Sequence, residues 1–269
     1  MLRTKAVAFL ARDLQIEASY KVPFLIEMLA GVFPVLSVYF VAKLVGPDSE
    51  DSLAKYGGQY FPFAIIGAAF SQYFTVALGA FASTIRRSQM AGCLEAILST
   101  QTSPQTVIVL SALYSFSMKL VHVVIILLLG ELALGLDLSR ANVLSAGVVL
   151  ILTVAVFSSL GIFGASVVVI FKKGDPFEWL FGTLSSLLGG ALFPVKLLPL
   201  WAQTVAMAFP LTHSLDAMRL ALLSGYPLTR LGPQLLVLGC MSVLLLPTSV
   251  WCFARAVERG RRDGSLMHY

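Results

Sequence analysis

The side chains best placed to do chemistry stand in apolar surroundings. Lys119 lies near the middle of a long apolar stretch, with Ser115 one helical turn before it and His122 one turn after. A cation at bilayer depth costs about 2.5–3.5 kcal/mol on insertion scales, so such a lysine faces protein or water rather than lipid. Two readings stay open: a polar stripe lining a substrate pathway, or a structural lysine that snorkels or pairs with a carboxylate such as Glu27 or Glu178. The remaining reactive groups do not assemble into a catalytic constellation. His122, His213 and His268 are far apart and form no HExxH. Gly174-Asp175 lacks the further upstream glycine of an intramembrane aspartyl protease. Cys93, Cys240 and Cys252 make no CxxC pair, which argues against a zinc site or a disulfide framework. No catalytic residue and no metal site is assigned, and the chain reads as a non-enzyme.

The elements that must hold these groups follow from composition. Of 269 residues, 58% are hydrophobic and 12% charged, and the mean hydropathy is +0.86. A soluble domain carries about 25% charge. Several apolar stretches exceed the roughly 20 residues that cross a bilayer. The expected fold is therefore all-α and polytopic, a single permease-like domain. Six spans are drawn at about 22–44, 60–83, 105–134, 142–171, 178–192 and 231–254. The net charge of +5 is scattered between spans, which speaks for topology and against a nucleic-acid partner. With both termini inside, twelve Lys and Arg fall in inner segments, against Lys55, Arg140, Lys196, Arg219 and Arg230 outside. Residues 1–21 read as an amphipathic helix on the inner interface, with Val7, Leu10, Leu14 and Ala18 at helical spacing. Arg12 and Asp13 interrupt its apolar run, so a cleavable signal peptide is not expected. Residues 255–269 read as an inner tail.

Three stretches break the pattern of plain spans. The second span carries Gly67, Ser71, Thr75, Gly79 and Ser83 at four-residue intervals, a ladder suited to close helix packing. The fifth is short, about 22 Å of helix. Phe193, Pro194, Pro199, Trp201 and Pro210 follow it, and prolines at that density forbid one continuous helix. Residues 193–230 are expected to form short helices dipping into the outer leaflet as a cap, with Thr212 as a helix N-cap and Asp216 and Arg219 on one face. Between spans two and three, Met90, Leu94, Ile97 and Leu98 share a helical face. Periodicity alone makes this segment a connector on the membrane or a docking element for a cytosolic partner.

The run Gly92-Cys93-Leu94-Glu95-Ala96-Ile97-Leu98-Ser99-Thr100 resembles the Gly-Thr-Leu-Glu…Thr-Pro signature of ABC exporter permeases of the type-2 family. Phe193-Pro194, Leu198-Pro199-Leu200-Trp201, Pro210-Leu211-Thr212-His213, Asp216, Arg219 and Gly225 are similar to that family's pattern before the last span. Cys93 stands where the family often has Thr, and Gln101 where Pro usually follows. The resemblance implies a coupling region at 86–99, centred on Gly92, Cys93, Leu94 and Glu95. Arg86 and Arg87 there face acidic residues of an ATPase or anionic lipid headgroups. It further implies two cytosolic ABC ATPase subunits that bind ATP and Mg, a second permease copy, and a bacterial plasma membrane. The sequence itself has no GxxxxGK[ST] phosphate loop, so it supplies no ATP site and no cofactor of its own. The coupling loop is closer to the drug, antibiotic and lipid-like branches than to the polysaccharide branch, so an amphipathic cargo is expected, with a polysaccharide or glycolipid as the alternative. A secondary transporter would show repeated halves and paired broken helices. No repeat is visible, and only the fifth segment is broken.

Overall fold

The computed structural model describes residues 32–45, 53–90, 104–171 and 176–262, with Gln15 and Ile26. Among them are eight α-helices and no strand. They are α1 (Val32–Val45), α2 (Tyr60–Met90), α3 (Pro104–Leu134), α4 (Val143–Phe171), α5 (Pro176–Leu188), α6 (Leu200–Ala208), α7 (Pro210–Leu223) and α8 (Gly232–Arg262). Short 3-10 turns at Ala54–Tyr56 and Val195–Leu197 precede α2 and α6.

α2, α3, α4 and α8 are long and apolar enough to cross a membrane; α1 is shorter, and α5 has 13 residues, about 20 Å of helix. The bundle is organised around α2, which packs against α1, α3, α4, α5 and α7. Of the most apolar stretch of α2, 72% is buried, against 11% for α8. That contrast separates a protein-facing helix from one whose apolar side chains look outward, as Leu236, Val243 and Leu244 do. In water such exposure would be costly; in hydrocarbon it costs nothing. Polar side chains inside the long helices bond back to their own backbone: Thr153 Oγ1 donates to the Val149 carbonyl at 2.7 Å and Ser166 Oγ to the Ile162 carbonyl at 2.9 Å.

Two apolar clusters mark the two ends. The larger unites Phe63, Ile66, Phe70 and Phe74 of α2 with Leu215 and Met218 of α7, and Phe157 stacks on Phe74 at 5.0 Å. The smaller, at the far end, joins Phe81, Ala112, Ala165 and Val169 to Phe253, Ala256 and Val257 of α8.

The helix ends depart from the sequence expectations in instructive ways. α2 runs on to Met90, so Arg86 and Arg87 belong to its last turns rather than to a separate connector. α8 continues through Arg255 to Arg262, beyond the expected span end at 254, with a Glu258–Arg262 pair one turn apart at 2.6 Å. In both places helix formers such as Arg, Gln, Met, Ala and Glu follow the span with no proline, and α8 runs on through Gly260; the periodicity of hydrophobicity is silent about polar helix. Residues 1–21, the second half of the connector and Gly174-Asp175 lie outside the described residues, apart from Gln15.

Candidate functional site

Residues 193–226 form a cap on one end of the bundle, and its construction starts from proline. Pro194 and Pro199 flank the Val195–Leu197 turn, and Pro210 opens α7 directly after α6 has ended at Ala208. Pro fits the first helical position because its missing N–H would have no partner there. The residue before α7 is Phe209, extended and without a side-chain cap. Thr212 is therefore not the N-cap expected from the sequence. It lies inside the first turn, buried, and its Oγ1 donates to the Ala206 carbonyl at 2.7 Å, which fixes the corner between α6 and α7. Pro210 starts the helix three residues earlier than a Thr212 cap would.

Asp216 and Arg219 share a face of α7 but do not bond to each other. The Asp216 carboxylate accepts from Lys55 Nζ at 2.7 and 3.0 Å, from the Tyr56 hydroxyl at 2.6 Å and from Gln234 Nε2 at 2.8 Å. One carboxylate thus ties α7 to the turn before α2 and to the first turn of α8. Burial pushes its pKa up, but the hydrogen bonds from Lys55, Tyr56 and Gln234 outweigh that and hold it below the usual carboxylate range. Burial, with Asp216 beside it, pushes the Tyr56 hydroxyl up, so it stays a donor.

Arg219 is buried at 3% exposure and uses its fork on backbone: Nε donates to the Phe63 carbonyl at 3.1 Å and Nη2 to the Ala191 carbonyl at 2.7 Å. Its guanidinium lies 3.5 Å from the centre of the Phe63 ring. A planar, weakly hydrated cation is the side chain that can stack and bridge two carbonyls at once. The bridge joins α2 to the turn that ends α5, where Gly190 takes a φ of +72°. Gly67 makes room for it. The same end is fastened to α4: just before it the Asn142 N–H donates to the Ala221 carbonyl at 2.9 Å, and within it the Thr153 hydroxyl oxygen lies 3.1 Å from that of Ser214.

The small-residue ladder of α2 faces this neighbourhood. A β-carbon on Gly67 would lie 1.8 Å from the Ala191 oxygen, and one on Gly79 would lie 2.2 Å from Glu178 Oε1, while Thr75 and Ser83 are exposed. Gly67 therefore meets the turn after α5 and Gly79 meets α5 itself, while the ladder as a whole is not one contact face.

Other expected site residues fall elsewhere. Phe193 is half-buried, and Trp201 is exposed on α6. Lys119 and Ser115 are half-buried on α3 and His122 is buried, so the stripe exists as spaced. Lys119 makes no ion pair with Glu178 or any other described residue; Glu27 lies outside them. Gly92, Cys93, Leu94 and Glu95 also lie outside the described residues, as does the side chain of Arg87. Arg86 Nη2 is shielded from solvent with no hydrogen-bond partner among the described residues. Sequence reasoning missed Lys55, Tyr56, Phe63, Ala191 and Gln234 as partners of the cap. Only the adjacent Lys55-Tyr56 pair offered a signal, a cation and a phenol together in the segment before α2.

A bundle with lipid-facing long helices and a polar-stapled cap at one end defines a multi-pass α-helical membrane protein. The family model for the ABC-2 type transporter matches residues 7–223, and the chain belongs to that family. It is the membrane component of an ABC transporter, a system that works with an ATPase component. Comparison with curated proteins finds no match.

Proposed function

We infer that this chain is the permease of an ATP-driven exporter, moving an amphipathic small molecule or lipid-like cargo out of the cytoplasm or inner leaflet. In this reading there are six crossings, with α1 and α5 as the shorter two, so both termini share one side, taken as the cytoplasm of a bacterial cell. Two ATPase subunits bind ATP and Mg and dock against residues 86–99, and two permease copies enclose the route. The observation that carries the reading is the family match over residues 7–223 in a sequence with no phosphate loop. Supporting the sidedness, Lys55, Arg140, Lys196, Arg219 and Arg230 all gather at the cap end, opposite Arg86, Arg255 and Arg262.

In this reading, closure of the ATPases tilts the coupling segment and hence α2. Because α2 is held to α5 and the cap through Arg219, the tilt reaches the outer face as a movement of one packed unit. The test is reconstitution of the full chain with its co-purified ATPase in liposomes. Amphipathic compounds should stimulate ATP hydrolysis and be transported, and Glu95→Ala should reduce the stimulation without reducing insertion. Gradient-powered flux from the permease alone, or unchanged coupling in Glu95→Ala, would overturn it.

A further inference from the structure

We propose that the outward face of α8 is a binding site for an anionic phospholipid, with the headgroup held by Arg255 and Arg259. Near its end α8 has two opposed faces. Phe253, Ala256 and Val257 are buried in the smaller apolar cluster. Trp251, Arg255, Glu258, Arg259 and Arg262 line a recess of about 570 Å³ on the other side. The spacing 251, 255, 258/259, 262 is one helical stripe, so the recess follows from the 3.6-residue repeat rather than from a chance meeting of loops.

The recess has the make-up of a membrane interface. Trp251 is 59% exposed, and the Arg255 guanidinium lies 5.0 Å from its ring centre, an indole and a cation sharing one level. Glu258 accepts from Arg262, which leaves Arg255 and Arg259 without a carboxylate of their own among the described residues. Toward the cap the same stripe becomes an apolar groove along Leu236, Cys240, Val243 and Leu244. From Val243 to Arg255 is about 18 Å of helix. That is close to half of a ~30 Å hydrocarbon core plus the start of the headgroup layer. A cationic foot with exposed Leu244, Pro247 and Trp251 along the helix above it fits a phospholipid with an anionic head, whose tails reach the near end of that groove at Val243 and Leu244. A second copy of this chain across a two-fold axis would set arginine against arginine, a like-charge cost that a lipid avoids.

The test uses the full chain carrying Trp179→Phe and Trp201→Phe, two exposed positions, so that Trp251 is the sole tryptophan of three. It is reconstituted in vesicles of brominated phosphatidylglycerol or brominated phosphatidylcholine, and quenching of Trp251 is read. Each basic residue near a surface favours anionic lipid about five-fold, so phosphatidylglycerol should win by about three- to ten-fold after partial cancellation. Arg255→Gln with Arg259→Gln should bring the ratio to about one, and Glu258→Gln should raise it. Inorganic phosphate at matched ionic strength should leave the quenching unchanged. A parent ratio near one, as an acidic protein partner would give, overturns the proposal. So does a ratio untouched by the arginine changes, or displacement by inorganic phosphate. If the double arginine variant fails to insert, a Glu258→Gln ratio that does not rise overturns it equally.

Discussion

Gly67 and Arg219 occupy one space: a β-carbon on Gly67 would fall 2.2 Å from Arg219 Nη2 and 1.8 Å from the Ala191 oxygen that this nitrogen holds. Backbone cannot retreat as the tip of a flexible side chain can, so Gly67→Ala must part α2 from the turn after α5. The expected cost is about 1–3 kcal/mol, the usual range for overpacking. It is read as a lower unfolding midpoint in detergent, whereas Gly57→Ala, at a site with no neighbour within 4 Å, tests only the backbone penalty of a positive φ.

Replacing Arg219 with Lys keeps the charge but removes the fork and the flat face that lies on Phe63. Lys cannot bond the Phe63 and Ala191 carbonyls together while stacking. Arg219→Lys is expected to lose about 2–3 kcal/mol, in the range for hydrogen bonds to charged groups. An unfolding midpoint equal to the parent's would show that charge alone suffices at this position.

Asp216 gives the cap a pH dependence with a definite sign. Its folded pKa is lowered, so its contribution is present above the ordinary carboxylate range and is lost as pH falls through the folded value. Stability should hold from neutral pH down to about pH 4 and then drop. Asp216→Asn should lower stability at neutral pH and flatten this acid limb in a pH series of unfolding midpoints. The Lys55 pair is the part-exposed one of the three links, so its share should shrink with added salt.

Lys119→Met should insert at least as well as the parent, since a mid-membrane cation is removed. With no ion pair to break among the described residues, its unfolding midpoint should not fall. Transport should fall if the Ser115–Lys119–His122 stripe lines the route. Full transport with full stability would make the lysine incidental.

The long helices were legible because hydrophobicity over twenty or more residues is a strong and additive signal; α3 and α4 match the expected spans to within a residue. Polar extensions were not, since residues 86–90 and 255–262 carry no apolar run. The short cap helices and their break at Pro210 could be read from proline chemistry. The partners of Asp216 and Arg219 could not, because Lys55 and Ala191 are separated from them by 161 and 28 residues in the chain. Spacing places a side chain on a face but does not name what lies opposite, which is why two charges three apart on α7 turned to different neighbours.

The stunted length of α5 shapes its surroundings. Beside helices of 29 to 31 residues it offers an apolar wall only 13 residues tall, with Trp179 and Leu187 turned outward. Acyl chains meeting that wall must shorten or tilt, at fractions of a kcal/mol for each ångström of mismatch. Where lipid covers that wall the membrane is expected to thin on that flank, and a molecule crossing there would travel a shorter oily distance than beside the long helices.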